Sequence, residues 1–177
     1  MDAELSARLR RVRLLVMDVD GVMTDGGLYY DASGLTIKRF DVQDGIGIRL
    51  LKEAGIELGV ISGMNTPCVL RRLEDLGIAR FHGGHLSKAG FLENMRAELQ
   101  LSWDEIAYVG DDWVDIAPMS LVGVPVAVAN ARPEVKAAAC LVTEACGGHG
   151  AVRELADLLL SAKGVLDALL EKWKRPE

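Results

Sequence analysis

Two acidic clusters in this chain each follow directly on a short apolar run. Residues 12–17 are mostly apolar and lead straight into the stretch DVDGVMTDG, which begins with Asp18 and carries a second acid at Asp20. Residues 106–109 lead in the same way into a glycine and a second group of acids, Asp111, Asp112 and Asp115. Two like charges about 4 Å apart repel by about 4 kcal/mol at an effective dielectric near 20. The clusters therefore indicate a hard divalent cation bound by oxygen ligands, although Asp and Gly are also ordinary turn residues.

Two weaker signals lie between the acidic clusters, each at the edge of an expected element. The apolar run at residues 56–61 ends in Ser62 and Gly63, a hydroxyl followed by a flexible backbone. Lys88 opens a helix-like stretch after the glycine-rich loop at residues 83–84. In an open α/β sheet, ligands bind beyond the carboxyl ends of the strands. The order of acid pair, hydroxyl, lysine and acid cluster therefore predicts one site at that edge of the sheet.

The hydrophobic pattern predicts alternating strands and helices. We expect strands at residues 12–17, 56–61, around 81, 106–109, 124–128 and 141–142. We expect helices at residues 2–10, 43–54, 67–76, 88–99, after 109 to about 122, 133–139, 151–162 and 165–173. Residues 27–40 hold two β-prone runs around a turn, which predicts a hairpin after the first strand. The alternation favours an α/β fold with a doubly wound parallel sheet and helices on both faces.

The composition suits a single globular domain over residues 1–177. Half of the 177 residues are hydrophobic (50%), which is ample for one core. The net charge of −6 argues against nucleic acid or an anionic membrane as a partner. No apolar run approaches the roughly 18 residues that a membrane span needs. The odd cysteine count without a signal peptide predicts reduced thiols in the cytoplasm, at Cys68, Cys140 and Cys146.

The order of these motifs resembles the haloacid dehalogenase-like phosphohydrolase superfamily, which carries DxD, a Ser or Thr, a Lys and an acidic GDDxxD. Within it, four stretches are similar to the branch that acts on 3-deoxy-D-manno-octulosonate 8-phosphate: DVDGVMTDG, FDVQDGIGIR, YVGDDWVD and GGHGAVRE. The superfamily often inserts a cap domain after the first motif. Here only the hairpin occupies that space, so we expect a capless enzyme. The family resemblance also implies a homotetramer in which hairpins meet, with Tyr29 and Tyr30 as plausible interface residues.

The resemblance implies a Mg²⁺-dependent phosphomonoesterase that works through an aspartyl-phosphate. Asp18 would be the nucleophile and Asp20 the proton donor and acceptor. Mg²⁺ would be held by the Asp18 carboxylate, the Asp20 main-chain carbonyl and Asp111. Ser62, the Gly63 backbone and Lys88 would orient the transferring phosphoryl group. Three further residues would support the site from behind, or serve only as local caps: Thr24, Asp112 and Asp115.

The residues implied for substrate recognition depart from the family pattern at one position. The matching substrate-contacting stretch is Asp41, Val42, Gln43, Asp44 and Gly45, and Arg72 matches the second of two family arginines. The first arginine is replaced by Met64, which cannot pair with a sugar-acid carboxylate as a guanidinium does. Relatives that act on a nine-carbon sialic-acid-type 9-phosphate carry Glu there, so Met64 fits neither pattern. The choice between an eight-carbon and a nine-carbon substrate stays open.

Two other function classes share parts of this pattern. A response-regulator receiver also gathers acids, a hydroxyl and a lysine around Mg²⁺, but it has no acid two residues after its phosphorylated Asp. A phosphatase-fold protein that binds its ligand without turnover is the second alternative, because of Met64. Two further features can each be interpreted as functional or as purely structural. Trp113 either walls the pocket or packs, and residues 147–150 either form a plain loop or reach toward a neighbouring subunit's site.

Overall fold

The computed structural model describes residues 2–34 and 36–174. The described strands are, in chain order, β1 (Leu14–Met17), β2 (Tyr29–Tyr30), β3 (Thr36–Ile37), β4 (Glu57–Ser62), β5 (Arg80–Gly83), β6 (Ile106–Gly110), β7 (Val124–Ala127) and β8 (Leu141–Val142). The described α-helices are α1 (Ala3–Arg11), α2 (Val42–Glu53), α3 (Pro67–Leu76), α4 (Ala89–Glu98), α5 (Ile116–Met119), α6 (Pro133–Ala138), α7 (Ala151–Ala162) and α8 (Leu166–Trp173).

Six of these strands form one parallel sheet in the order β5-β4-β1-β6-β7-β8. β1 lies inside the sheet and is buried along its whole length, which explains its uninterrupted apolar sequence. Met17, its last residue, pairs with Val60 of β4 on one side and Val109 of β6 on the other. This register brings the carboxyl ends of three neighbouring strands to the same edge of the sheet. The residues that follow these strands are therefore forced close together.

The helices pack in two groups, as expected for a sheet covered on both faces. α1 and α2 pack on α7, while α4 and α6 pack on α5. α2 and α7 approach closely because Gly47 lacks a side chain. A Cβ on Gly47 would lie 3.1 Å from both the Ala156 Cβ and the Arg153 Cα. The predicted α/β fold with a doubly wound parallel sheet is confirmed.

The hairpin after the first strand is also confirmed, since β2 and β3 pair antiparallel. Leu35, in its turn region, lies outside the described residues. One predicted helix differs from the structure. The helix expected to run to about Val122 is a tight turn at Trp113–Asp115 followed by the single-turn α5, which ends at Met119. The turn is tight because the Asp115 carboxylate accepts the N–H groups of Asp111 and Asp112, the two residues that precede it.

Most predicted boundaries agree with the structure to within two residues, and three elements agree at both ends: α3, α7 and β8. Among the described helices, none combines the length and apolar character that crossing a membrane requires.

Candidate active site

The loop after β1 is built around a glycine that no other residue could replace without strain. Gly21 has a φ of +87°, which favours glycine. A Cβ at this position would also lie 2.1 Å from Oδ2 of Asp111, so the loop and the second acidic cluster are in direct contact. Thr24 closes the loop: its hydroxyl accepts the Gly21 N–H at 3.4 Å and donates to the Val19 carbonyl at 3.3 Å. Thr24, which we predicted to support the site or to cap the loop, thus makes hydrogen bonds within the loop.

Asp18, Lys88 and Asp115 form a buried charged cluster behind this loop. The Lys88 ammonium lies 2.8 Å from Oδ1 of Asp18 and 2.8 Å from Oδ1 of Asp115. Asp115 also accepts the Tyr108 hydroxyl at 2.7 Å and the Asp111 N–H at 3.0 Å. Both of its oxygens are therefore turned inward. One lysine compensates two buried carboxylates, which leaves the cluster one negative charge in excess.

Burial and the excess negative charge together raise the pKa values of the acids in this cluster and beside it. Burial raises the pKa of Asp18 to about 7, with Asp115 adding to the rise and Lys88 opposing it. Burial, and then the charges of Asp18 and Asp115, raise the pKa of Asp111 to about 8. Burial alone lowers the pKa of Lys88, but the two carboxylates outweigh it and raise that pKa above its ordinary value. A cation beside the carboxylates would favour their charged forms.

The residues present fit a divalent cation. Carboxylate oxygens of Asp18, Asp111 and Asp115 all lie within 4.8 Å of one another. Asp115 is already occupied by its internal hydrogen bonds, whereas Oδ1 of Asp111 is buried and has no hydrogen-bond partner in the described structure. A buried acceptor without a partner is costly. Asp18 and Asp111 are therefore the side chains that fit the metal, in agreement with the donor chemistry of hard cations.

Asp20, the second acid of the loop, contacts a different buried lysine, Lys38. The Lys38 ammonium lies 2.6 Å and 2.7 Å from the two oxygens of Asp20, and 3.8 Å from the sulfur of Met64. The Lys38 side chain is fully buried, and that of Asp20 is 27% exposed. Lys38 comes from the strand end of the hairpin, one residue after β3. The hairpin therefore contributes a charged group to the site.

A cavity of about 270 Å³ opens above these acids. Its walls bring together six of the predicted site residues, namely Asp18, Asp20, Gly63, Lys88, Asp111 and Asp112, with apolar residues and Met64 at its sides. Ser62 ends β4 beneath the cavity and is fully buried. Its hydroxyl accepts the N–H of Met64 at 3.1 Å and so shapes the turn that presents the Gly63 backbone. Asp112 accepts the N–H of Trp113 at 2.7 Å and caps the following turn.

The predicted substrate segment lies elsewhere in this chain. None of Asp41, Val42, Gln43, Asp44, Gly45 and Arg72 lines the cavity. Arg72 donates to the Asp41 carbonyl at 2.9 Å, and Asp44 accepts the Arg153 N–H at the start of α7 at 2.8 Å. Burial raises the pKa of Asp44 to about 6. Val42 and Gln43 are exposed, so their side chains are available to a neighbouring molecule.

The loop at residues 146–150 packs against the loop after β1 of its own chain. Asn130 joins the two, since its amide donates to the Gly21 carbonyl at 3.1 Å and accepts the Gly147 N–H at 2.6 Å. A Cβ on Gly147 would lie 1.8 Å from that same carbonyl, so only glycine fits. His149 bonds within the loop, with Nδ1 3.0 Å from the Gly147 carbonyl. Trp113 is exposed and donates to Glu134 at 3.1 Å; it does not wall the cavity.

Three residues of the site were missed by sequence reasoning: Lys38, Tyr108 and Asn130. Tyr108 could have been noticed, because it is a polar aromatic inside an otherwise aliphatic strand that becomes fully buried. Lys38 and Asn130 carry no local signal, since a lysine near a hairpin and an asparagine after a strand are ordinary surface residues. Their roles come only from tertiary contacts.

Comparison with known proteins agrees with this geometry. The family model described as haloacid dehalogenase-like hydrolase matches residues 77–155. Over 160 residues, the chain is 41% identical to 3-deoxy-D-manno-octulosonate 8-phosphate phosphatase of Haemophilus influenzae, covering 90% of this chain and 89% of that protein. The Escherichia coli K12 enzyme of the same name is 41% identical over 167 residues, with 94% and 89% covered. The chain belongs to the haloacid dehalogenase-like hydrolase family.

Solved structures of this hydrolase family have the same fold. A probable YrbI-family phosphatase of Pseudomonas syringae superposes with a TM-score of 0.97 at 41% identity, covering 99% of this chain and 100% of that one. The 3-deoxy-D-manno-octulosonate 8-phosphate phosphatase of Moraxella catarrhalis, solved with magnesium, phosphate and the sugar acid, has a TM-score of 0.96 at 33% identity, covering 98% and 100%. The resemblance drawn from the sequence motifs is confirmed.

Proposed function

We propose that this chain is a Mg²⁺-dependent phosphatase that hydrolyses 3-deoxy-D-manno-octulosonate 8-phosphate through an aspartyl-phosphate. The observation that carries the proposal is the cavity floor, where a buried carboxylate (Asp18) contacts a buried lysine (Lys88) beside an acid whose oxygen has no partner among the described residues (Asp111). The relatives named above support the substrate class, because three of them carry this activity in their names.

In the first chemical step a carboxylate oxygen of Asp18 attacks the phosphorus, and the bond from phosphorus to the sugar oxygen breaks. The leaving oxygen takes a proton from Asp20. In the second step a water molecule attacks the same phosphorus and gives its proton to Asp20, while the bond between phosphorus and Asp18 breaks. The products are inorganic phosphate and the free sugar acid. Splitting the hydrolysis in this way replaces one difficult displacement by two easier ones.

Lys88 holds the nucleophile in place and carries positive charge at the phosphoryl site. Its ammonium is fixed by Asp115, which in turn is fixed by Tyr108 and the backbone of the second acidic cluster. Asp18, Asp111 and the Asp20 main-chain carbonyl would hold Mg²⁺, which would supply Lewis-acid stabilisation of the phosphoryl oxygens. Ser62 shapes the turn that offers the Gly63 N–H to the same oxygens.

Subunit assembly would complete the substrate site. The stretch from Asp41 to Gly45 and Arg72 lies outside the cavity of its own chain, and the exposed Val42 and Gln43 point to contacts made across an interface. Tyr29 and Tyr30 on the hairpin are 55% and 63% exposed in the single chain. Aromatic side chains are enriched at interface cores, so this exposure favours their burial against another subunit. We propose a homotetramer, the assembly that the family resemblance implies. We also propose that it lies in the cytoplasm, where the three free thiols would stay reduced.

Phosphate release from a set of phosphorylated sugar acids tests this function. We expect the highest kcat/KM on 3-deoxy-D-manno-octulosonate 8-phosphate, a lower value on a nine-carbon sialic-acid-type 9-phosphate, and no turnover in EDTA until Mg²⁺ is restored. Asp18→Asn should abolish release from every substrate. The surface variant Asp104→Asn, which loses an exposed ion pair with Arg11, should behave as the wild type. Ligand binding without any phosphate release would refute the enzymatic function.

A further inference from the structure

We propose that Lys38 is a positioning residue for Asp20, which holds its carboxyl group at the cavity and stabilises its negative charge once it has given up a proton. This inference rests on the proposed function, in which Asp20 protonates the leaving oxygen. It adds a residue that none of the four sequence motifs contains.

The contact between Lys38 and Asp20 is unlike a surface ion pair. The ammonium reaches both oxygens of one carboxylate, at 2.6 Å and 2.7 Å, and the Lys38 side chain has no exposed surface. Burying a lysine costs free energy unless its charge is paired. The contact with Asp20 is therefore what stabilises the buried position of Lys38. Exposed pairs, by contrast, are screened by water and contribute little to stability.

The hairpin fixes Lys38 where Asp20 needs it. Lys38 follows β3 directly, and two residues later Phe40 forms an antiparallel bridge with Thr24. Thr24 lies at the end of the loop after β1, residues 18–24, which carries Asp18 and is called the nucleophile loop from here on. The base of the hairpin and the loop that carries Asp20 are thus joined by the backbone. Arg39 extends this connection, since it donates to the Gly148 carbonyl on the other side of the loop.

Without this ammonium, Asp20 would have no cationic partner among the described residues, because the other lysine of the site, Lys88, is already paired with Asp18 and Asp115. Asp18, Asp111 and Asp112 line the same cavity. Like charges that share a cavity repel, and the Asp20 side chain is partly exposed, so its carboxylate would turn toward water. The Met64 sulfur lies 3.8 Å from the ammonium and offers no charge that could compete for Asp20. Lys38 is therefore the one described cation within hydrogen-bond reach of this carboxylate.

The chemical consequence concerns the first step of the reaction. As the phosphorus–oxygen bond breaks, the proton of Asp20 moves to the sugar oxygen and Asp20 becomes anionic beside Lys38. Water attack in the second step returns a proton to Asp20. Lys38 keeps its own protons throughout and acts only by position and charge. Its removal should therefore impair proton transfer to the leaving group and spare nucleophilic attack.

Leaving-group dependence tests the proposal, because kcat/KM covers only the steps up to leaving-group departure. Lys38→Met should lower kcat/KM on 3-deoxy-D-manno-octulosonate 8-phosphate about 100-fold, the usual scale of general-acid catalysis. On 2,4-dinitrophenyl phosphate, whose phenolate leaves without a proton, the loss should stay below about threefold. Lys38→Arg, which keeps the charge, should recover most of the activity. Equal losses on both substrates would overturn the proposal.

A double-variant cycle with Asp20→Asn provides the second measurement. If Lys38 acts through Asp20, adding Lys38→Met to Asp20→Asn should lower kcat/KM no further. A further large loss would contradict the proposal. Lys172→Met, which removes an exposed lysine paired with Glu53, is the matched control and should change neither substrate's value. Should Lys38→Met fail to fold by circular dichroism, Lys38→Gln replaces it with the same expectations.

The wild-type protein separates this inference from the proposed function. If the wild type releases no phosphate from the sugar-acid phosphate, the proposed function fails, whatever the Lys38 variants do. If it releases phosphate and Lys38→Met is as active as the wild type on both substrates, only the positioning role of Lys38 fails.

Discussion

Replacing Lys88 by Met should destabilise the metal-free protein in a pH-dependent way. The ammonium contacts Asp18 and Asp115 at 2.8 Å each, and all three side chains are almost completely buried. Removing one partner of a buried ion pair costs about 3–5 kcal/mol, because the remaining charge is left uncompensated. Lys88→Met should therefore lose about that free energy of unfolding at about pH 8, where the wild-type carboxylate of Asp18, with a pKa of about 7, is mostly charged.

The pH dependence follows from the direction of the pKa shift. In the folded protein the pKa of Asp18 is raised from 3.8 to about 7, so the folded chain binds more protons than the unfolded chain between these values. Stability then falls as pH rises through this window. Lys88 opposes the rise, so its removal raises the pKa of Asp18 further and extends the loss of stability to higher pH. The cost of Lys88→Met should be much smaller at about pH 5, where the folded carboxyl of Asp18 is protonated.

Urea denaturation in EDTA at the two pH values measures this effect. Adding Asp115→Asn to Lys88→Met should recover part of the lost stability. The amide removes one buried charge and keeps an acceptor for Tyr108, but its NH2 group cannot accept the N–H groups of Asp111 and Asp112. It should recover no phosphatase activity. Lys172→Met, with an exposed ion pair, should stay within about 1 kcal/mol of the wild type. A Lys88→Met variant as stable as the wild type at about pH 8 would refute the buried-charge reasoning.

Three further changes have defined outcomes. Met64→Arg should raise kcat/KM on 3-deoxy-D-manno-octulosonate 8-phosphate about tenfold, the effect of one hydrogen bond from a charged group, and an unchanged or lower value would show that position 64 does not limit recognition. Asn130→Ala should lower kcat at least about tenfold with little change in thermal midpoint, because it separates the loop at residues 146–150 from the nucleophile loop; unchanged steady-state kinetics would contradict this. Asp44→Asn should stabilise the protein by at most about 3 kcal/mol at about pH 8, since the carboxyl with a pKa raised from 3.8 to about 6 is then charged and buried. That gain should shrink as pH falls through 6 and vanish near 3.8, as chemical denaturation would record.

The fold could be predicted from the sequence because the inner strands β1, β6 and β7 were marked by apolar runs and the longer helices by the spacing of apolar residues. The sequence also predicted which strand ends meet, since parallel strands place their carboxyl ends on one edge. Asp18, Lys88 and Asp111 could therefore be grouped from the order of the motifs alone. The helix after β6 was predicted too long because hydrophobic spacing does not reveal the tight turn that Asp115 stabilises through hydrogen bonds with nearby backbone N–H groups.

Interactions across the fold explain what sequence reasoning did not foresee. Lys38 joins Asp20 over a separation of 18 residues, and Asn130 joins Gly21 over 109. Neither separation has a periodic or compositional signature. The substrate stretch at Asp41–Gly45 was recognised by resemblance alone, and it does not line the cavity of its own chain, so a matching motif does not by itself place its residues in the site.

The most direct test of the central claim is to stop the reaction in acid during turnover and map the phosphorylated peptide. With 3-deoxy-D-manno-octulosonate 8-phosphate and Mg²⁺ present, the phosphoryl group should be found on Asp18, in the peptide that contains the nucleophile loop. It should be absent from Asp18→Asn. A phosphoryl group on any other residue, or turnover without one, would contradict the account.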